Sequence, residues 1–273
     1  MRFVAGGIFL FFLGLSFCPA GADNILFIGN SFTFGASAPL VRLNGGVPKL
    51  VEALAVAGNK KARAYAVTAG GKDWSYHLAQ PATAEAITAR PWSWVVLQDF
   101  SSRPTHAGDI SGFMRDGETF SDRIAAASPH AGIILFETWA RPPAFFTGGP
   151  GRDFSGPAQM LAELHDSYGR LRDDLARRNP NRAARVALVG TAFALVNKKY
   201  PAIRLIALDN HHATAEGYYL AALVIYETIY HQSVKDAPTV FFHGLLRFSP
   251  ETAADLKEAA DEVAGATPGT TAK

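Results

Sequence analysis

The sequence predicts an α/β fold: a three-layer α/β/α sandwich around a flavodoxin-like parallel sheet of about five strands. Three observations lead there. Short apolar runs recur along the chain, longer stretches of helical period separate them, and segments rich in Gly, Pro and polar residues follow several of the runs. Strands that read as unbroken apolar runs are buried on both faces, as in a parallel sheet covered by helices.

In chain order, Asn24–Gly29 (NILFIG) reads as a buried first strand and Val47–Gly58 as a helix. Ala62–Thr68 is a second strand, and Thr83–Ala89 a second helix. Trp94–Leu97 is a third strand, ending at Gln98-Asp99, and Asp116–Ala127 is helical. Gly132–Phe136 (GIILF) is a fourth strand, Pro157–Arg178 a long helix, Arg185–Val189 a fifth strand and Thr214–Tyr230 another long helix. Two segments fall outside this rhythm: Phe100–Arg115 and Thr138–Ser155 follow strands three and four as long polar loops. In open α/β sheets the ligand crevice lies beyond the carboxyl ends of the strands, so long loops there are expected to shape a site.

The ends of the chain differ from its middle. Arg2, the apolar run Phe3–Phe17 and the small residues Ala20 and Ala22 match a secretory signal peptide over 1–22, cleaved after Ala22. The run is short for a spanning helix, so no stable membrane span is expected after cleavage. The expected destination is export, periplasmic or secreted. The main folded domain is expected over 23–248. A C-terminal helix with a small, polar, disordered tail is expected over 249–273.

Composition narrows the function classes. Hydrophobic residues make up 48% and charged residues 18%, enough apolar content for a large core. A net charge of +2, from 26 basic and 24 acidic residues, gives no reason to expect nucleic acid. The single cysteine, Cys18, falls inside the expected leader, which excludes a cysteine nucleophile and a cysteine-ligated zinc site in the mature chain.

Two clusters carry chemistry. Ser31, in Gly29-Asn30-Ser31-Phe32-Thr33, directly follows strand one and would sit at the sheet's carboxyl edge; a helix N-cap is the competing role. Serine attacks only when a base takes its proton. The candidate base lies in Asp209-Asn210-His211-His212-Ala213-Thr214, where Asp209 and His212 are three residues apart just before a helix. That offset lets the carboxylate fix the imidazole's tautomer. His211 competes with His212 as the base. An N-cap Asp beside solvent-facing histidines, and a metal site at the paired histidines, are the other readings, the latter without a helical HExxH pair to support it.

On these residues the chain resembles the SGNH (GDSL-like) hydrolase superfamily. GNSFT is similar to that family's GDS block, with Asn30 for the usual Asp, and DNHHATAEGY is similar to its closing DxxH block. Ala69-Gly70-Gly71 follows strand two as the family's glycine block does. Val96-Leu97-Gln98-Asp99 follows strand three, where the family carries GxND. The four blocks occur in order, in a branch with a GNSFT first block and Gln in the third. No GxSxG elbow is present, which argues against an ordinary α/β-hydrolase.

The resemblance implies an exported serine esterase that cleaves carboxylic esters, O-acetylated carbohydrates among them, through an acyl-enzyme. Ser31, His212 and Asp209 would form the triad. The oxyanion would be held by the amide N–H of Ser31, that of Gly71 (or Gly70) and the Gln98 side-chain amide. Trp139, Arg141 and His77 are the expected substrate-binding residues, with Glu137 beside them after strand four, and Asp99 is expected to steady the Ser31 loop. No metal or cofactor is implied, and the partner is a small-molecule or carbohydrate ester. A non-catalytic glycan-binding protein of the same fold, or an acyltransferase or lipase using the same triad, are the alternatives.

Overall fold

The computed structural model describes residues 21–147 and 153–265. All but the last two residues of the expected leader, Cys18 included, and the expected tail after Gly265 lie outside the described residues. Among the described residues no helix is long and apolar enough to cross a membrane.

Five parallel strands form the main sheet: β1 (Asp23–Gly29), β2 (Ala62–Thr68), β3 (Trp94–Leu97), β4 (Gly132–Phe136) and β5 (Ala184–Ala187). Their order is β2-β1-β3-β4-β5. Because β2 and β3 pair with opposite edges of β1, winding reverses there. The crevice at the carboxyl ends of β1 and β3 is therefore the topological switch point, where ligands bind in open α/β sheets.

The apolar strand runs split by parity. Ile25, Phe27, Val96, Ile134 and Phe136 join one core layer; Leu26, Ile28, Val95, Leu97, Ile133 and Leu135 join the other. With both faces buried, the strands show no polar alternation. The first layer packs against α3 (Gly46–Ala57), α8 (Val189–Lys199), α9 (Ala215–Tyr230) and α10 (Pro250–Gly265). The second packs against α4 (Trp74–Ala79), α5 (Pro81–Thr88), α6 (Ile110–Ala127) and α7 (Pro157–Arg178). The helix α9 contacts α3, α8, α10 and the sheet and is buried on nearly all sides.

Several boundaries differ from expectation. Asp109 accepts the Gly112 N–H at 2.8 Å and caps α6, which therefore starts at Ile110, inside the stretch read as loop. The fifth strand stops at Ala187 and α8 begins at Val189, where Glu137 Oε1 accepts the Thr191 N–H at 2.9 Å. The short helices α1 (Ser31–Phe34), α2 (Pro39–Leu43) and α4, and an antiparallel pair β6 (Val240–Phe241) and β7 (Leu246–Arg247), were not expected. The C-terminal helix α10 is not an appendage: Ala253, Leu256, Ala260 and Val263 are buried in the main core.

Candidate active site

The turn after β1 is built around Asn30. Its side-chain oxygen accepts the Phe32 N–H at 3.2 Å, so Asn30, not Ser31, caps α1. This removes the capping role from Ser31, whose hydroxyl makes no hydrogen bond among the described residues. The Asn30 amide donates to Lys72 O at 2.9 Å and so ties the Ala69-Gly70-Gly71 segment to the same turn. Gly71 adopts φ +68°, a left-handed conformation that favours glycine, and a Cβ there would meet nothing within 4 Å. The amide N–H groups of Ser31 and Gly71 donate to no acceptor among the described residues.

The second half of the site is the loop before α9. A β-bridge joins Ile206 to Ala213, the Ala207 N–H donates to His212 O at 2.8 Å, and Asn210 turns the chain at φ +55°. Asp209 organises this loop. Its Oδ1 accepts the N–H groups of His211 and His212, both at 2.9 Å, and its Oδ2 meets His212 Nδ1 at 2.7 Å. Burial opposes ionisation of Asp209, but the His212 ring and the two amide N–H groups outweigh it and hold the carboxyl below its usual range.

Several contacts press the loop onto the Ser31 turn. The Ser37 hydroxyl donates to Ala213 O at 2.5 Å, and the Tyr218 hydroxyl to Ser31 O at 3.3 Å. Trp139 Nε1 and Arg141 Nη1 both donate to His211 O, at 3.1 and 3.0 Å. The Phe32 ring meets His211 and His212 edge-on at 5.2 and 5.7 Å between centroids. No hydrogen bond joins the Ser31 hydroxyl to the His212 ring in this geometry. His212, not His211, holds the carboxylate. Burial, then the charges of Arg141 and His212, push His211 down to about 4, which leaves it a weak base.

Four expectations require correction. Gln98 is buried, its Oε1 accepting the Asn30 N–H at 2.8 Å and the Thr33 hydroxyl at 3.0 Å while its amide donates to Asp99 O. With its carboxamide spent on the Asn30 N–H, the Thr33 hydroxyl and Asp99 O, it braces the Ser31 turn from below. Trp139 has no exposed surface to stack on a sugar: it is sandwiched between Phe32 and Phe193, at centroid distances of 4.1 and 4.6 Å. Arg141 is likewise buried and spends Nη1 on His211 O and Nη2 on the Ser101 hydroxyl at 2.6 Å. His77 sits beneath the turn with Nε2 2.9 Å from Gly29 O. All four side chains are packed and hydrogen-bonded around the Ser31 turn and the His211–His212 loop.

Asp99 is also buried and accepts from Trp74 N, Phe100 N and Arg103 Nη1 at 2.8, 2.7 and 3.1 Å. Glu137 lies under the α8 N-terminus, paired through Oε2 with His165 Nδ1 at 2.9 Å. Among the described residues no group of three or more His, Cys, Asp or Glu side chains is placed to hold a metal. Sequence reasoning missed Phe32, Ser37 and Ser101. Only Phe32 carried a signal, as the residue flanking the candidate nucleophile.

The five-stranded parallel sheet with its crevice at the β1/β3 switch point is the fold of the SGNH hydrolases. The chain is similar to a solved protein assigned to the SGNH hydrolases from Slackia heliotrinireducens, at 23% identity over 77% of this chain and 100% of that one, with a TM-score of 0.58. It is similar to a DUF4886 family protein from Bacteroides uniformis, at 16% identity over 89% and 95% of the two chains and TM-score 0.63. It is also similar to an acetyl xylan esterase from Geobacillus stearothermophilus, at 20% identity over 77% and 96% and TM-score 0.53. No protein-family model and no curated protein matches the sequence.

Proposed function

We propose that this protein is an exported serine ester hydrolase acting on small-molecule or carbohydrate esters, O-acetyl groups among them. One observation carries the reading: a carboxylate-held imidazole, Asp209–His212, lies on a loop packed against the turn that carries Ser31, at the switch point of this fold. Ser31 Oγ attacks the ester carbonyl carbon while its proton passes to His212 Nε2. The oxyanion is stabilised by the N–H groups of Ser31 and Gly71, preorganised donors of a kind worth roughly 3 kcal/mol each. The carbon–oxygen bond breaks, and His212 returns the proton to the leaving alcohol. Water then attacks the acyl-enzyme, giving its proton to His212, and the carboxylic acid leaves as Ser31 is reprotonated. Asp209 holds the ring's tautomer and offsets the imidazolium charge. The likeness to an acetyl xylan esterase supports an O-acetyl substrate.

The test is hydrolysis of p-nitrophenyl acetate by the chain from Asp23 onward, with Ser31→Ala and His212→Ala beside it. Each variant is expected to lose about a thousandfold or more of the rate. Equal weak rates in all three proteins would refute the reading and favour a ligand-binding role.

A further inference from the structure

One large cavity of the described structure is not lined by Ser31 or His212. It lies behind the histidine loop, between the start of α7, the outer face of α8 and residues 201–210, and has a volume of about 1070 Å³. That is at the top of the range of roughly 300–1,000 Å³ for clefts that hold small molecules. Its walls are largely apolar: Leu161, Phe193, Ile203, Ile206 and, at the rim, Leu208, which is 85% exposed.

The polar lining has one sign. Arg141, His165, Lys198 and Arg204 line the cavity, and among the described residues no carboxylate lines it. Arg141 is almost wholly buried; among the described residues its hydrogen-bond partners are a carbonyl and a hydroxyl, and the nearby Asp209 carboxylate, which acts on it through charge, is itself paired with His212. The side chains of Lys198 and Arg204 make no hydrogen bond or ion pair among the described residues. Of the carboxylates close by, Glu137 is fully buried behind the wall and spent on His165 and Thr191, and Asp209, next to the lining residues Leu208 and Asn210, is held by the His212 ring and the N–H groups of His211 and His212. A buried guanidinium and two free cations around an apolar trough are complementary to an anion with a hydrophobic body.

We propose that this cavity is a second ligand site, distinct from the Ser31 crevice, that takes a single-chain amphipathic carboxylate. The apolar chain lies along Leu161, Phe193 and Ile206, and the head group meets Lys198 and Arg204 at the mouth. The proposal goes beyond the esterase reading and does not depend on Ser31 being a nucleophile.

The experiment is calorimetric titration of the chain from Asp23 onward with decanoate, with decanol and acetate as controls. Decanoate is expected to bind saturably at one site and to raise the unfolding temperature. Acetate is expected not to bind, decanol to bind at least about tenfold more weakly, and each removed methylene to weaken binding about fourfold. Raising salt from about 0.1 M to about 1 M should weaken decanoate but not decanol. The double variant Lys198→Ser/Arg204→Ser should lose about tenfold in affinity for decanoate alone. Ala194→Trp, an exposed α8 position on the cavity wall, should block both ligands, and Ser31→Ala should change neither. No decanoate binding, or binding unaltered by the double variant and by Ala194→Trp, would overturn the proposal. Neither result bears on ester hydrolysis, which is read separately.

Discussion

Asp209 does two jobs that a pair of substitutions can separate. Through Oδ1 it closes the loop on the N–H groups of His211 and His212; through Oδ2 it holds His212 Nδ1. In Asp209→Asn the remaining oxygen can keep both amide bonds, but an NH2 now faces Nδ1. The ring must then present its other tautomer or lose the contact, and Nε2 no longer accepts the serine proton well. The expected loss in kcat is about 100- to 1000-fold. This sits at the lower end for a triad carboxylate because the Asp209 side chain is 45% exposed and solvent screens its charge. Stability should stay within about 0.5 kcal/mol of wild type, since the loop bonds survive. Asp209→Ala loses the loop bonds as well and should cost about 1–2 kcal/mol in addition to the same rate loss. The assays are p-nitrophenyl acetate kinetics and urea unfolding on the same preparations. A wild-type rate in Asp209→Asn would refute the assignment of Asp209 and His212 as an acting pair. An equal stability loss in both variants would refute the division of labour between its oxygens.

The remaining predictions concern the supports. Gln98→Ala leaves the Asn30 N–H and the Thr33 hydroxyl without their buried acceptor, so urea unfolding should show a loss of about 2–4 kcal/mol; a large rate loss at unchanged stability would instead restore Gln98 as an oxyanion donor. Trp139→Phe keeps the ring stack but removes one of two donors on His211 O, and kcat should fall about tenfold with KM little changed; an unaltered kcat would sink the clamp. His211, pushed down to about 4, is neutral when folded but gains a proton near pH 6.5 when unfolded. Its contribution to stability is therefore complete above about pH 6.5 and lost as pH falls toward 4, by about 1–3 kcal/mol. Asp99, raised to about 7 by burial against the pull of Arg103, acts in the opposite sense, with stability falling as pH rises from about 4 toward 7. Because Asp99 is unchanged in His211→Asn, the wild-type-minus-variant difference isolates the histidine; a difference flat with pH would refute the shift.

How much of this was legible in the sequence depended on whether the signal was local. The strands were, because NILFIG and GIILF carry both faces of the sheet in consecutive residues. Asp209 and His212 were, because a three-residue offset within one loop sets their reach. The helix α8 was not. Its start follows the strand after a single residue and is capped by Glu137, a residue far back in the chain, so no cap precedes it in sequence. The roles of Trp139 and Arg141 were illegible for the same reason. An aromatic and a cation in a polar loop suggest a sugar site. Only the fold shows that Phe32 and Phe193 close over the indole from two other elements.

The same reasoning explains why a glutamine stands after β3. Gly29 approaches so closely that a Cβ there would lie 2.3 Å from Thr33 Oγ1 and 2.8 Å from Gln98 Oε1. The turn that presents Ser31 is thus packed directly on the Gln98 carboxamide. A side chain long enough to reach back under Asn30 and Thr33 serves that brace, and it does so by turning its amide onto Asp99 O rather than into the crevice. If the brace fixes the Ser31 turn, the oxyanion must be held chiefly by amide N–H groups. Catalytic power then rests on the left-handed Gly71 and its tether, Asn30 to Lys72 O. On the proposed esterase reading, Asn30 thereby joins the two halves of the oxyanion site.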